Sequence, residues 1–236
     1  MINNTAAGDS RAAGKSRDAA ILRAVEQCKF ISRDQVQALV FGHSYRQKCC
    51  DRLLRLYKSK RLKRKRVDVA ESFVYFLPGE KWNQKAEHYL AVNWVYISLL
   101  KQIKSWFKLQ AFTREYTATW GERRLVADAL VVLANKTTKE LKPLFVELDR
   151  GTSNNEFDKV ALYSGLYDSK AWVASWWSRP NADGRHRFPK VLVVTDRKEK
   201  VQEAIDRDNA ARDKAARVRF SVATLEDVRR DVYQFI

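Results

Sequence analysis

Apolar residues recur at helical spacing over residues 19–30, where Ile21, Leu22, Val25 and Phe30 mark one side of a first helix. Ser32 and Gln35 follow in the spacing of a capping box, in which hydroxyl and side-chain amide each satisfy a free backbone group, so a second helix is expected through Val40. Gly42 allows a turn. A third helix over residues 44–60 would turn Leu53, Leu54 and Leu56 inward and Arg46, Lys48, Arg52, Arg55 and Lys58 outward. The basic run 61–66 and the alternating stretch 67–77, with Phe73, Tyr75 and Leu77, suit two short strands. Three helices and a basic two-stranded wing predict a winged helix-turn-helix over residues 17–79. The small, polar residues 1–16 offer nothing to bury and read as a disordered tail.

Pro78 and Gly79 punctuate the chain, and the pattern then lengthens. A helix is expected over residues 87–107, then strands over 109–117, 125–134 and 141–149, then a helix to Tyr167 opened by a second capping box at Ser153 and Glu156. Trp172, Trp176 and Trp177 crowd the next segment and are expected to pack rather than stack on nucleobases. A loop over 180–189 precedes Lys-Val-Leu-Val-Val-Thr (190–195), whose short β-branched run reads as a buried strand. Asp196 and Glu199 open a charged helix to about residue 214, with a last strand at 218–222 and a closing helix at 225–235. The second domain, residues 80–236, is thus expected to be α/β (α+β), with the order α-β-β-β-α-β around a mixed central sheet.

Charge sharpens this picture. The 236 residues hold 45 Lys and Arg against 28 Asp and Glu, a net +17, which calls for a polyanionic partner such as nucleic acid or a membrane surface. Residues 1–78 carry 17 basic and 7 acidic side chains, hence +10 of that +17. Eleven cations and the single acid Asp51 fall between Tyr45 and Arg66, so Tyr45, Arg46, Lys48, Arg52, Arg55, Lys58, Lys63, Arg64, Lys65 and Arg66 are the candidate contacts to double-stranded DNA. A solvated helix face is the plainer alternative. Cys28, Cys49 and Cys50 form no C-x-x-C pair, which argues against a disulfide framework or structural zinc. The chain shows neither an apolar leader nor an apolar run of membrane-spanning length, so a cytoplasmic protein without membrane contact is expected.

Three acids group at predicted strand ends: Asp128, Glu147 and Asp149. Glu147 and Asp149 share a strand face by the two-residue period, and a neighbouring strand can bring Asp128 beside them. Gathered carboxylates need a compensating cation, and magnesium, which takes oxygen ligands, is the natural one. Without it, Glu147, Asp149, Arg150 and Lys159 could instead form a charge network ordering the loop after the strand.

The blocks Val126-Ala-Asp128, Phe145-Val-Glu-Leu-Asp-Arg-Gly-Thr152 and Lys159-Val-Ala-Leu-Tyr163 resemble the replication-relaxation family of plasmid and mobile-element proteins. The resemblance covers about residues 17–225 and implies a winged helix joined to a domain similar to PD-(D/E)xK nucleases. It implies that Asp128 and Glu147 are metal ligands in active relatives, that Glu87 matches an optional acid on the preceding helix, and that Lys159 and Tyr163 support the site from the following helix. Two positions depart from the nuclease pattern: Ala127 replaces its proline, and Asp149 stands where it has lysine. The missing ammonium normally stabilises charge developing on the phosphate, a task Lys159 can take only from the helix.

Three functions are consistent with these residues. One is a DNA-binding protein acting in plasmid replication, relaxation or conjugative transfer, with a degenerate nuclease-like domain that recruits a relaxase or replication protein. Another is a magnesium-dependent endonuclease or nickase using Asp128, Glu147, Asp149, Lys159 and Tyr163. The third is a transcriptional regulator acting as a homodimer on half-sites about one helical turn apart.

Overall fold

The computed structural model describes residues 5–42, 45–66, 72–151, 157–181, 183–231 and 233–235, with side chains from residue 16 onward except that of residue 215. The chain forms two compact units, Met1–Ile97 and Ser98–Ile236. The division falls inside helix α4 (Ala86–Gln102), beyond the boundary expected near Gly79. The first half of α4 packs with the unit before it: Tyr89 lies against Phe30, and the Asn93 side-chain amide donates to the Phe30 carbonyl at 2.6 Å.

In the first unit, α1 (Thr5–Cys28) leads to β1 (Ile31–Ser32), α2 (Arg33–Val36), a π-helical segment (Gln37–Phe41) and α3 (Arg46–Lys58). Strands β2 (Lys63–Lys65) and β3 (Val74–Phe76) complete an antiparallel sheet in the order β1-β3-β2. The capping box at Ser32 and Gln35 is formed. Ile21, Val25 and Cys28 of α1 meet Ile31, Val36 and the inner side of α3, Cys49, Leu53 and Leu56, in one core.

Two expectations change here. Residues 5–16 continue α1 instead of forming a tail. Ala6, Ala7, Ala12 and Ala13 have high helix propensity, and extending a helix anchored at Ile21 avoids the cost of nucleation. Leu54 is 38% exposed, since a helix turning 100° per residue cannot bury both Leu53 and its neighbour against one surface. The basic run itself supplies β2, and part of the expected wing, residues 67–71, lies outside the described residues.

In the second unit, β4 (Phe107–Trp120), β5 (Arg123–Asn135) and β6 (Leu141–Asp149) form an antiparallel meander. After α5 (Lys159–Ser169), β7 (Lys190–Thr195) lies parallel to β6. Then α6 (Lys198–Ala210) leads to β8 (Phe220–Ala223), parallel to β7, and to the short α7 (Leu225–Arg229). The five-stranded mixed sheet has the order β4-β5-β6-β7-β8, and the expected α-β-β-β-α-β succession is present. The second capping box, at Ser153 and Glu156, lies outside the described residues.

Five of the six residues of β7 are buried, as an internal parallel strand requires. Phe145 of β6 centres the core, 5.2 Å from the Tyr163 ring and 5.7 Å from Trp177. Trp172 and Trp177 stack at 6.5 Å and are buried, whereas Trp176 is half exposed. Among the described residues, no helix is long and apolar enough to cross a membrane.

Candidate functional site

Pairing between β5 and β6 runs from Ala134↔Leu141 to Ala129↔Val146 and stops there, although both strands continue. Extending the register by one residue sets Asp128 across from Glu147 on the same sheet face. Side chains then engage the backbone of the separating strands. The Leu148 N–H donates to Asp128 Oδ2 at 2.7 Å, and Lys159 Nζ donates to the Val126 carbonyl at 3.0 Å.

Glu147 lies at the centre of this opening. Its side chain is 1% exposed, and both carboxylate oxygens are engaged: Lys159 Nζ donates to Oε2 at 2.5 Å and Tyr163 Oη to Oε1 at 2.6 Å. Lys159 and Tyr163 stand one turn apart on α5, so a single helix face delivers both donors. The resemblance had grouped Asp128, Glu147, Lys159 and Tyr163, and the structure brings these four together.

Burial pushes the Glu147 carboxyl up to about 8, and the facing Asp128 adds to the rise against the opposing pull of Lys159 and Tyr163. Burial alone would lower the Lys159 ammonium, but Glu147 and Asp128 more than reverse it, and its pKa is raised. Burial holds the Tyr163 hydroxyl protonated far above its usual range, which keeps it a donor.

Asp149 does not join this group. Arg197 takes it with Nη2 at 2.8 Å and Nε at 3.2 Å, while the Thr195 hydroxyl and the Gly151 N–H donate to it as well. Burial would raise this carboxyl, but these donors outweigh it and hold it below its ordinary value. The expected convergence of three carboxylates is therefore reduced to two, because a guanidinium fork and two further donors satisfy the third. Among the described residues, no group of three or more His, Cys, Asp or Glu side chains is placed to hold a metal ion. Glu147 Oε1 and Oε2 and Asp128 Oδ2 each accept from a protein donor, so magnesium, which is held by one or two carboxylates and several waters, would have to displace Lys159 from Glu147 to be held here. Glu87 sits in the first turn of α4 and belongs to the first unit.

The basic array of the first unit divides in two. Arg46, Lys48, Arg55 and Lys58 are exposed on α3, and Lys63, Lys65 and Arg66 are exposed on and after β2. Lys48 lies over the ring of the exposed Tyr45 at 4.6 Å, and Lys65 over Trp82 at 4.8 Å. The other two candidates have partners within the unit. Arg52 turns to Asp18 of α1 at 3.5 Å, and Arg64 is held between Tyr57 and Phe73, 4.2 and 4.1 Å from their ring centres.

The sequence reading missed Arg197 as the partner of Asp149. The available signal was position: Thr195 ends, and Arg197 follows, a strand that, if parallel to β6, finishes beside Asp149. Arg64 carried no such signal within an unbroken basic run.

No family model matches the chain, and no curated protein matches it. Among solved structures, it is similar to the restriction endonuclease FokI at 12% identity, over 92% of this chain and 43% of that one, with a TM-score of 0.35. The chain thus spans less than half the length of that protein.

Proposed function

We propose that this is a duplex-DNA-binding protein of a plasmid or other mobile element, made of a winged helix and a nuclease-like domain whose site is neutralised from within. The element order from α1 to β3, helix-strand-helix-helix-strand-strand with a π-helical segment after α2, supports that reading, in which α3 is the recognition helix and β2 and β3 are the wing. The observation that carries the proposal is the exposed array Arg46, Lys48, Arg55, Lys58, Lys63, Lys65 and Arg66. Cations clustered on one helix and the adjoining strand suit a phosphate backbone. The second unit would then add contacts or recruit a relaxase or replication protein in the cytoplasm. In this reading the Lys159 ammonium supplies the positive charge that Asp128 and Glu147 need.

One observation favours a second reading, a magnesium-dependent endonuclease: Asp128, Glu147 and Lys159 meet where two strands separate. That reading requires Lys159 to leave Glu147. Both are tested by titrating purified protein against labelled duplex DNA over a range of salt, and by incubating it with supercoiled plasmid in magnesium, manganese or EDTA beside an Asp128→Ala, Glu147→Ala double variant. Salt-sensitive binding with intact plasmid supports the first reading. Metal-dependent nicking absent from the double variant supports the second, and failure to bind duplex DNA at any salt sinks the first.

A further inference from the structure

The outward side of α3 carries more than positive charge. Gln47, Asp51, Leu54 and Lys58 follow at intervals of three and four residues on one helix face, with Arg55 four residues after Asp51, and all five are exposed. Asp51, Leu54, Arg55 and Lys58 also line one shallow cleft with Ser59. This stripe combines a carboxylate, an amide, an apolar surface and two cations.

Asp51 is out of place if the stripe only attracts phosphates. It is the single acid among eleven cations between Tyr45 and Arg66, and a carboxylate facing a DNA backbone weakens binding through like-charge repulsion. Nor does it serve as an internal counter-ion. Lys48 lies three residues before it and Arg55 four after, yet among the described residues Asp51 forms no ion pair with either. Its Oδ1 instead accepts from the neutral Gln47 side-chain amide at 2.9 Å, which orients the carboxylate.

Base-edge chemistry accounts for such a group. In the major groove, cytosine presents the N4 amino group as donor, for which a carboxylate is the matching acceptor, and guanine O6 and N7 accept from Arg or Lys. An exposed leucine, otherwise costly on a polar face, matches the thymine methyl group. Leu54, at 38% exposure, stands one turn beyond Asp51.

Resting on the DNA-binding reading above, we propose that α3 reads sequence, and that Asp51, held by Gln47, selects a cytosine in the target duplex. The carboxylate then has opposite effects on two kinds of DNA. It weakens binding to duplex of arbitrary sequence and favours the site that offers it a cytosine amino group.

The test is selection of bound duplexes from a randomised pool with the full chain and with Asp51→Ala, followed by titration of each protein with the selected duplex and with a scrambled one. Circular dichroism checks that the variant folds, and Asp51 is exposed, so the core should be undisturbed. The wild-type consensus is expected to contain an invariant C·G pair whose preference falls about tenfold or more in Asp51→Ala, a loss typical of one lost base contact. Affinity of the variant for scrambled duplex is expected to rise. A wild type that binds duplex without any consensus, or a variant that keeps the same consensus, overturns sequence reading by Asp51 and leaves DNA binding standing. A wild type that binds no duplex overturns both.

Discussion

Lys159 Nζ lies 2.5 Å from Glu147 Oε2, joining a partly exposed ammonium to a carboxylate sealed beneath α5. Removing one partner of such a pair leaves the other charge buried without compensation, typically at about 3 kcal/mol or more. Above pH 8, where the Glu147 carboxyl is ionised, Lys159→Met is therefore expected to lower unfolding free energy by about 3 kcal/mol. Tyr163→Phe, which leaves Glu147 Oε1 without its donor, should cost about 1–3 kcal/mol. Urea denaturation checks both; a Lys159→Met variant as stable as wild type would show that the pair does not hold β6 to α5.

The same carboxyl makes stability depend on pH. Its pKa is about 8 in the folded chain and has an ordinary value of 4.5, so the folded state binds this proton more tightly than the unfolded state. The contribution is complete below about 4.5 and is lost as pH rises through 8. The raised Lys159 ammonium acts in the same sense, but only above its ordinary 10.5, outside this window. Between pH 5 and 9 wild type should thus lose stability relative to Glu147→Gln. Urea midpoints of the two proteins measured in parallel test this, and a difference that does not change with pH refutes it.

At the end of β6 the sign reverses. Asp149 is held below its ordinary value of 3.8, so its contribution is present above that pH and is lost as pH falls through the lower folded value. Asp149→Asn should flatten the acid limb of the stability curve. Gly151 tests the same network through the backbone. Its φ of +63° is unfavourable for other residues by about 1–2 kcal/mol, and an added Cβ would stand 3.0 Å from Arg197 Cδ. Gly151→Ala should therefore cost at least that much in thermal or urea unfolding and loosen Arg197 from Asp149.

The legible parts of the fold were those fixed by local pattern. Lys190–Thr195 announces a buried strand by composition alone, and Ser32 with Gln35 announces a helix start through groups three residues apart. The Asp128, Glu147, Lys159 and Tyr163 grouping was legible only through resemblance, since nothing local says that strand pairing ends at Ala129. Two-residue alternation put Asp149 on the face of Glu147, but the competition that Arg197 wins 48 residues later is a tertiary matter. The same holds for α3, where helix period sorts inward from outward residues but cannot tell a free cation from one held by distant rings.

That difference between cations gives the last prediction. Arg55 is exposed on α3, whereas Arg64 sits between the rings of Tyr57 and Phe73, linking α3 to the sheet side of the same unit. If both touched phosphates, each substitution to alanine would reduce the slope of log affinity against log salt by about 1 and leave stability unchanged. The structure separates them. Arg55→Ala should show that change in slope with an unaltered urea midpoint. Arg64→Ala should lower the midpoint, because cation–π contacts of this kind contribute about 0.5–2 kcal/mol and the packed stem is lost with them. Measuring slope and midpoint for both variants decides the matter. An Arg64→Ala protein with normal stability and a reduced slope would assign Arg64 to the DNA-facing set and remove it from the scaffold.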